Sequence, residues 1–574
     1  MYKTHLNDLK KLDYRTAGEV IADRIKSEGC SPDLAAGTFA LAYVLFLAKQ
    51  KGFESKGDPI DFIKDEVEDE QIMHFIRNAI AFGWDDLFSL YNQFDTNTLK
   101  AFLLYGNFND MKYYSDSTTP NSICQIAVHI LNIKPRDTVA DFGTGIGTFL
   151  VEAFQECPDA IYFGNEINTT SKSIAYIRAK LLNNISVVQE DMFEGHQNRT
   201  FDKIFSNYPF GMRIKDLRGG LDYLERFGKK YPDLSKATSS DWIFNTLIAN
   251  SLTENGKAVA IMTNGSTWNS IDRPIREFFI RKGLIECVIA LPEKLFTNTS
   301  IATSMVVFSS GNKAIRMIDA SDLCDRGRRQ NTITNIHVNE IIDWYKNNSE
   351  KSKLVSIEEV KNEEYVLSPV RFIREKIQLK NAVPFHKVIK RITRGAPLKA
   401  SELDNLISTE PTEIQYLMLN NINNGIISND LPYLKELDGR YEKYLIKAGD
   451  LILSKNGYPF KVAVAQTKPG RKILANGNLY IIELLQDKVN PYYLKAFFES
   501  EQGVASLKSI AVGAAIPNIA VESLKNLLIP LDNISKQNDI ADEYQILLDE
   551  IAVLRFKIEK ASNSLRNIFN LERE

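Results

Sequence analysis

The distribution of apolar positions divides the 574-residue chain into stretches of different texture. Over residues 1–105, charged clusters alternate with apolar helical stripes such as LAAGTFALAYVLFLAKQ, and β-branched runs bounded by turns are scarce; this predicts a helical N-terminal domain. From residue 106 the pattern switches to short apolar runs separated by amphipathic segments: TVADFG, YFGNEIN, ISVVQED, FDKIFSN, KAVAIMT, LIECVIAL and SMVVFSS. Strands alternating with helices predict right-handed βαβ units and a doubly wound, largely parallel sheet covered on both faces. Polar, mixed sequence follows, read as the tail of that domain to residue 345 and a linker over 346–380. Residues 381–533 set short strands, among them YLIKAGDLILS and VAVAQT, between Gly, Asn and Pro turns, which predicts a separate α+β domain.

The last stretch, 534–574, has a cleaner period. Ile540, Tyr544, Leu547, Ile551, Leu554, Ile558, Ala561, Leu565 and Ile568 alternate spacings of four and three, a heptad seam of about four repeats that predicts a long coiled-coil helix. Such a seam pairs with another helix of its own chain or with the same helix of a second copy. The unbroken spacing favours the second copy, and hence a homodimer.

Composition narrows the class. Hydrophobic residues at 44% and charged residues at 25% fit a globular chain and exclude a disordered or fibrous one, and the length calls for several cores. A formal net charge of -3 excludes coating nucleic acid through overall charge, so any such site must be a local patch. Cys30, Cys124, Cys157, Cys287 and Cys324 are odd in number, far apart and without CxxC spacing, which argues against a disulfide framework or a zinc site; no metal is expected. No apolar run reaches the roughly 20 residues that span a bilayer, and MYKTHLNDLKKLDYR lacks a signal-peptide apolar region. A cytoplasmic protein without a membrane partner is expected.

Ligands of open α/β sheets bind beyond the carboxyl ends of the strands, so those exits carry the candidate chemistry. The first ends in DFGTGIGT, where Gly143, Gly145 and Gly147 let the backbone approach a ligand before a helix begins; nucleotide-binding and merely tight-turning proteins share this feature. The second ends at Glu166, a carboxylate able to accept both hydroxyl protons of a ribose or simply to be solvated. The third ends in Glu190-Asp191, able to accept from an adenine amino group or again solvated. The fourth, SNYPFG, is the discriminating one. An adenine amino nitrogen is a poor nucleophile because its lone pair is delocalised, and hydrogen bonding must rehybridise it. Asn207 offers a side-chain carbonyl, Tyr208 a main-chain carbonyl, Pro209 a stiffened loop and Phe210 a face on which an extruded base stacks. Standing alone, the same residues also read as a buried aromatic beside a turn.

Taken together, DFGTGIGTFL, SNYPFG and the stretch from NGKAVAIMTNGSTWNS to SIATSMVVF resemble the methylation subunit of type I restriction-modification systems, an N6-adenine amino-methyltransferase family. In that family the catalytic motif reads NPPF or NPPY, and Tyr208 stands where the first proline is usual. The resemblance covers about residues 70–372 and implies a Rossmann-like class I methyltransferase domain with a mostly parallel seven-stranded sheet. It implies S-adenosylmethionine as cofactor, held by Asp141, Gly143, Thr144, Gly145, Glu166, Asp191 and Asn207, and by Thr119 and Pro120 of the upstream YYSDSTTPNSICQIAVHIL. It assigns catalysis to Asn207, Tyr208, Pro209 and Phe210, acting on adenine N6 in double-stranded DNA after base flipping.

The C-terminal part, through YLIKAGDLILSKNG, VNPYYLKAFFES and AAIPNI, resembles one target-recognition half of a type I specificity subunit followed by its spacer helix. Basic residues agree with that reading: Lys390, Arg391 and Arg394, with Lys387 and Lys399, at its entrance, and Lys455, Lys461, Arg471 and Lys472, with Lys468, among its strands and turns. They are candidates for phosphate contacts, though a charge cluster is equally a solvated face. One recognition half per chain implies that a dimer restores the usual two. Two rivals stay open: a catalytically silent methyltransferase-like DNA-binding or assembly subunit, and an amino-methyltransferase of RNA, protein or cytosine N4. A Walker A loop and a nuclease constellation are both missing, so cleavage would need a separate restriction or translocase subunit.

Overall fold

The computed structural model describes the chain apart from residues 1, 29–33, 53–63, 68, 80–83, 107–117, 196–198, 218, 221, 224, 226–238, 297–300, 329, 374–378, 399, 468–469, 513–516 and 567–574. It divides into two compact units, Met1–Ile373 and Arg374–Glu574.

The first unit opens with helices, including Tyr14–Glu28, Leu34–Lys51, Glu70–Ala79 and Thr96–Tyr105. Leu34–Lys51 is apolar all round, and every residue from Ala35 to Ala48 is buried, so this helix forms the centre of the subdomain rather than one of its faces. Behind it lies a nine-stranded sheet: β1 (Thr138–Phe142), β2 (Ile161–Glu166), β3 (Ile185–Gln189), β4 (Phe201–Ser206), β5 (Leu252–Thr263), β6 (Ile285–Ala290), β7 (Thr303–Phe308), β8 (Ala314–Asp319) and β9 (Ser352–Ser356). Their order is β3-β2-β1-β4-β5-β7-β6-β8-β9. All pairings are parallel except those of β7 with β5 and β6, and of β9 with β8.

Side-chain alternation explains why both faces are covered. Val259 and Ile261 of β5 enter one core with Met305 and Val307 of β7, while Ala258, Ala260 and Met262 enter another with Val306 and Phe308. All seven apolar runs read as strands are strands. The expected count of seven is nevertheless wrong, because residues 312–356, read as polar tail and linker, supply β8 and β9. The run AIRMID buries only alternate positions at its start, and SKLVS pairs along one edge, so neither shows a continuous apolar signal. Residues 357–373 of the expected linker also belong to this unit, and include the helices Ile357–Asn362 and Pro369–Ile373.

One buried cation ties the N-terminal helices to the sheet. Arg178, in the helix Thr169–Lys180, donates to the main-chain carbonyls of Leu103 (3.0 Å), Ile146 (2.9 Å) and Gly106, joining the end of helix Thr96–Tyr105 to the glycine-rich turn after β1. Burial lowers its pKa to about 10, which leaves it a cation at neutral pH.

The second unit holds two four-stranded sheets. Ile389–Arg394, Leu479–Leu484, Leu451–Ser454 and Val462–Val464 form an antiparallel one; Ile407–Ser408, Tyr433–Leu434, Ile414–Leu417 and Lys472–Ala475 form the other. A core including Phe385, Leu453, Tyr480 and Phe498 sits between the first sheet and the helix Pro491–Glu499. The final helix runs from Ile534 to Arg566; Gln537 and Ala541 are buried, and Lys495 donates to Tyr544 at 2.7 Å from the neighbouring helix. Farther along, Leu547, Ile551, Leu554, Ile558 and Leu565 are exposed, and Ile568 lies outside the described residues. Among the described residues of the seam, only the start is therefore packed within the chain. Among the described residues no helix is long and apolar enough to cross a membrane.

Candidate active site

The exits of β1 to β4 surround a cleft of about 500 Å³, lined by Thr118, Thr119, Gly143 to Ile146, Glu166, Asp191, Asn207 to Phe210 and Phe296, among others. The turn after β1 depends on glycine: Gly143, Gly145 and Gly147 have φ of 71°, 56° and 82°, and a Cβ on Gly145 would meet nothing within 4 Å, so this backbone borders open space. The turn is held from the neighbouring strand. Gly145 N–H donates to Glu166 Oε2 (2.8 Å), Gly143 N–H to Asn165 Oδ1 (3.2 Å), and Thr144 N–H to the Asn165 carbonyl (2.8 Å). Glu166 Oε1 accepts from Asn168 N–H at 2.8 Å, so each carboxylate oxygen is fixed by one main-chain donor and keeps capacity for another.

Not every residue expected at the cofactor lines the cleft. Asp141 lies buried beneath the turn, where its Oδ2 accepts from the Thr144 hydroxyl at 2.7 Å. Pro120 is the N-cap residue of the helix Asn121–Leu131. Asp191 does face the cleft, and its Oδ1 accepts from Phe193 N–H at 2.9 Å, capping a short helical turn.

Asp141 makes a pH test. Burial pushes its carboxyl up to about 7, with the Thr144 hydroxyl opposing and the charge of Glu166 adding to the rise. An acid whose folded pKa is raised takes up a proton on folding, so its contribution to stability is greatest below the unfolded value and is lost as pH rises towards about 7. Urea unfolding is therefore expected to show the native protein losing stability relative to Asp141→Asn between pH 4 and pH 7, the range of about 4 to 7 set by the ordinary and raised values. Parallel pH profiles for the two would contradict it.

At β4 the loop Asn207-Tyr208-Pro209-Phe210 follows directly after the buried Ser206, whose hydroxyl donates to the Phe142 carbonyl at 2.7 Å. Asn207 donates its side-chain N–H to Thr119 Oγ1 at 2.9 Å, which joins the upstream motif to the loop; its own Oδ1 is buried and without a partner among the described residues. Tyr208 turns its side chain inward. It is 1% exposed, stacks on Phe244 with centroids 4.5 Å apart and planes at 13°, and donates its hydroxyl to Asn245 Oδ1 at 3.0 Å. Pro209 is exposed, and Phe210 packs edge-on against Phe296 with centroids 5.2 Å apart.

Sequence reasoning missed Asn165, Phe244 and Asn245. Asn165 had a signal, since it immediately precedes Glu166 at a strand exit. Phe244 and Asn245 had none: they sit in the helix Ser240–Asn250, far along the chain, and only the fold brings them beneath the loop. Among the described residues no cluster of His, Cys, Asp or Glu forms a metal site.

The basic residues of the second unit differ in their freedom. Lys390 pairs with Glu483 at 2.7 Å and Arg391 with the same carboxylate at 3.5 Å. Arg394 donates Nε–H to the Gly477 carbonyl at 2.8 Å, Lys455 is half-buried beside it, Arg471 reaches Gln415 at 3.5 Å, and Lys472 is exposed. Lys461 is committed to the main chain, donating to the Leu419 and Ile422 carbonyls at 2.9 and 2.7 Å. Lys461→Ala is expected to lower unfolding free energy by about 1–3 kcal/mol, because two carbonyls lose their donor, and to leave the salt dependence of any nucleic-acid binding unchanged. Chemical denaturation and a salt titration check both; a changed slope with unchanged stability would reverse the assignment.

Residues 105–381 match the N-6 DNA Methylase family, and residues 402–561 match the Type I restriction modification DNA specificity domain. The chain thus carries an N-6 DNA methylase domain followed by a type I specificity domain. It is 25% identical over 306 residues to the MjaIX methylase subunit, a type I restriction enzyme component of Methanocaldococcus jannaschii, covering 47% of this chain and 54% of that protein. To the type I MpnII methylase subunit of Mycoplasma pneumoniae it is 23% identical over 391 residues, 62% of this chain and 69% of the relative. A type I methyltransferase subunit structure from Streptococcus thermophilus aligns with a TM-score of 0.45 and 18% identity, over 62% of this chain and 98% of that one. The chain spans about half the length of the first of these relatives.

Proposed function

We propose that this protein is a site-specific DNA methyltransferase that modifies adenine N6 in double-stranded DNA, working in a restriction-modification or related defence system in the cytoplasm. The observation that carries the reading is Asn207: a carbonyl oxygen buried without a donor among the described residues, beside an open cleft, on a side chain whose amide end is already held by Thr119. A buried acceptor left unpaired costs stability unless a ligand satisfies it, and an adenine amino group is such a ligand.

S-adenosylmethionine, when bound, supplies an electrophilic methyl group. The residues present suit it: Glu166, fixed by Gly145 and Asn168, accepts from ribose hydroxyls; Asp191 accepts from the adenine amino group; and the glycine turn lets the chain pass close to the amino-acid portion. Asn207 Oδ1 and the Tyr208 carbonyl accept the two protons of the target amine and so free its lone pair, while Phe210 stacks on the extruded base. An amide carbonyl is no base, so the amine proton leaves for solvent only after the new bond has formed.

The second unit supplies sequence recognition, and the exposed apolar row from Leu547 to Leu565 pairs with the same row of a second copy, giving a homodimer with two recognition halves and a bipartite target. A separate restriction or translocase subunit would supply any cleavage. Transfer from labelled S-adenosylmethionine to unmodified DNA, followed by nucleoside mass spectrometry, is the test: label in N6-methyladenine is expected, and label in N4-methylcytosine, RNA or protein would overturn the substrate assignment.

A further inference from the structure

Within the second unit, three asparagines from separate segments form a relay. Asn518 donates its side-chain N–H to Asn456 Oδ1, and Asn456 donates in turn to Asn478 Oδ1 at 3.3 Å. The main chain fixes all three: Lys455 N–H donates to the Asn478 carbonyl (2.8 Å), Ile519 N–H to the Lys455 carbonyl (3.0 Å), Gly457 N–H to the Pro517 carbonyl (2.9 Å), and Asn478 N–H to Asn476 Oδ1 (2.9 Å). The relay has two unused ends among the described residues: the Nδ2 donors of Asn478, which is exposed, and the Oδ1 acceptor of Asn518, which is half-buried.

Beside it stands an arginine prepared in the same way. Arg394 is exposed, and its Nε–H is bound to the carbonyl of Gly477, the residue before Asn478. That bond fixes the plane of the guanidinium, and its two terminal nitrogens have no partner among the described residues. Burial lowers the pKa of Lys455, and the nearby charge of Arg394 adds to the fall. The surface is therefore polar, held by main-chain bonds, and carries the positive charges of Arg394 and Lys455.

Side chains oriented in advance, with free donors and acceptors in a positive field, suit base edges rather than only phosphates. A guanidinium fork matches the O6 and N7 of guanine; a carboxamide donor reaches a purine acceptor, and a carboxamide acceptor takes an exocyclic amine of adenine or cytosine. We propose that Arg394, Asn478 and Asn518 read the base edges of the target DNA, with Asn456 positioning the two asparagines and Lys455 on a neighbouring phosphate. This rests on the reading of the chain as a DNA-modifying protein.

The test uses the full chain and a pool of duplexes of random sequence, from which bound molecules are recovered and sequenced, so that it does not depend on catalysis. Arg394→Lys keeps the charge and removes the fork; Asn478→Ala and Asn518→Ala each remove one end of the relay. Each variant is expected to lose about 10- to 100-fold of discrimination at one base position, Arg394→Lys at a guanine, while the other positions keep theirs. The salt dependence of Arg394→Lys binding should match that of the native protein. Sequence profiles identical to the native one in all three variants would overturn the proposal, as would a uniform loss of affinity at every position. Thermal melting separates loss of fold from loss of reading, since a purely structural relay would lower the melting temperature and leave the profile alone. A native protein that selects a sequence yet transfers no methyl group would refute the catalytic reading and leave this one standing.

Discussion

Asn207→Ala is expected to lower methyl transfer by about 10²–10³-fold, the scale seen when one preorganised partner of a developing charge is removed. The loss should fall on turnover. Asn207 Oδ1 is unpaired among the described residues, and in the proposed mechanism it holds an amine proton as the nitrogen gives up its conjugation with the ring. Cofactor affinity should change by less than about tenfold, or 1.4 kcal/mol, because the fixed carboxylate of Glu166 and the glycine turn are untouched. Single-turnover kinetics alongside equilibrium cofactor binding separates the two quantities. Unchanged turnover would remove Asn207 from the mechanism, and equal loss in both would make it a binding residue.

The second large effect is expected at Tyr208, the position that departs from the usual proline. Proline would restrain the loop through its ring; this chain restrains it from below, by stacking on Phe244 and a hydroxyl bond to Asn245. Tyr208→Ala removes a fully buried ring and should cost about 3–5 kcal/mol of stability. The main-chain carbonyl it carries would lose its support, and a shift of about 1 Å in that acceptor is enough for roughly a 10²-fold loss of turnover. Tyr208→Phe keeps the stack and strands the Asn245 carbonyl; it should cost about 1–3 kcal/mol and retain most of the turnover. Denaturation curves and transfer rates for the pair test this. An alanine variant as active as the phenylalanine one would show that the inward side chain has no bearing on the loop.

The contrast between these two positions shows what the sequence disclosed. Asn207 was legible because its chemistry is local: a carboxamide, an aromatic and a proline in four consecutive residues at a strand exit. The work of the Tyr208 side chain was not, because Phe244 and Asn245 touch it in space but lie more than thirty residues away in sequence. The same distinction runs through the fold. β1, β5, β6 and β7 carry continuous buried apolar runs and announce themselves, whereas β8 opens on alternate burial and β9 buries only Ser352 and Val355, so both emerge only when the edge of the sheet recruits them. Charge alone gave the least: Lys461 looked like a phosphate ligand and holds two carbonyls, while Asn478 and Asn518, uncharged and common in turns, carried no mark that set them apart.

The most direct measurement is a methylation map of genomic DNA from cells that have no other adenine methyltransferase and express either this protein or its Asn207→Ala variant. N6-methyladenine at one recurring, bipartite sequence, present with the native protein and lost with the variant, is the expected result. Unmodified DNA from cells whose protein binds S-adenosylmethionine, or methyladenine scattered without a shared sequence, would contradict it.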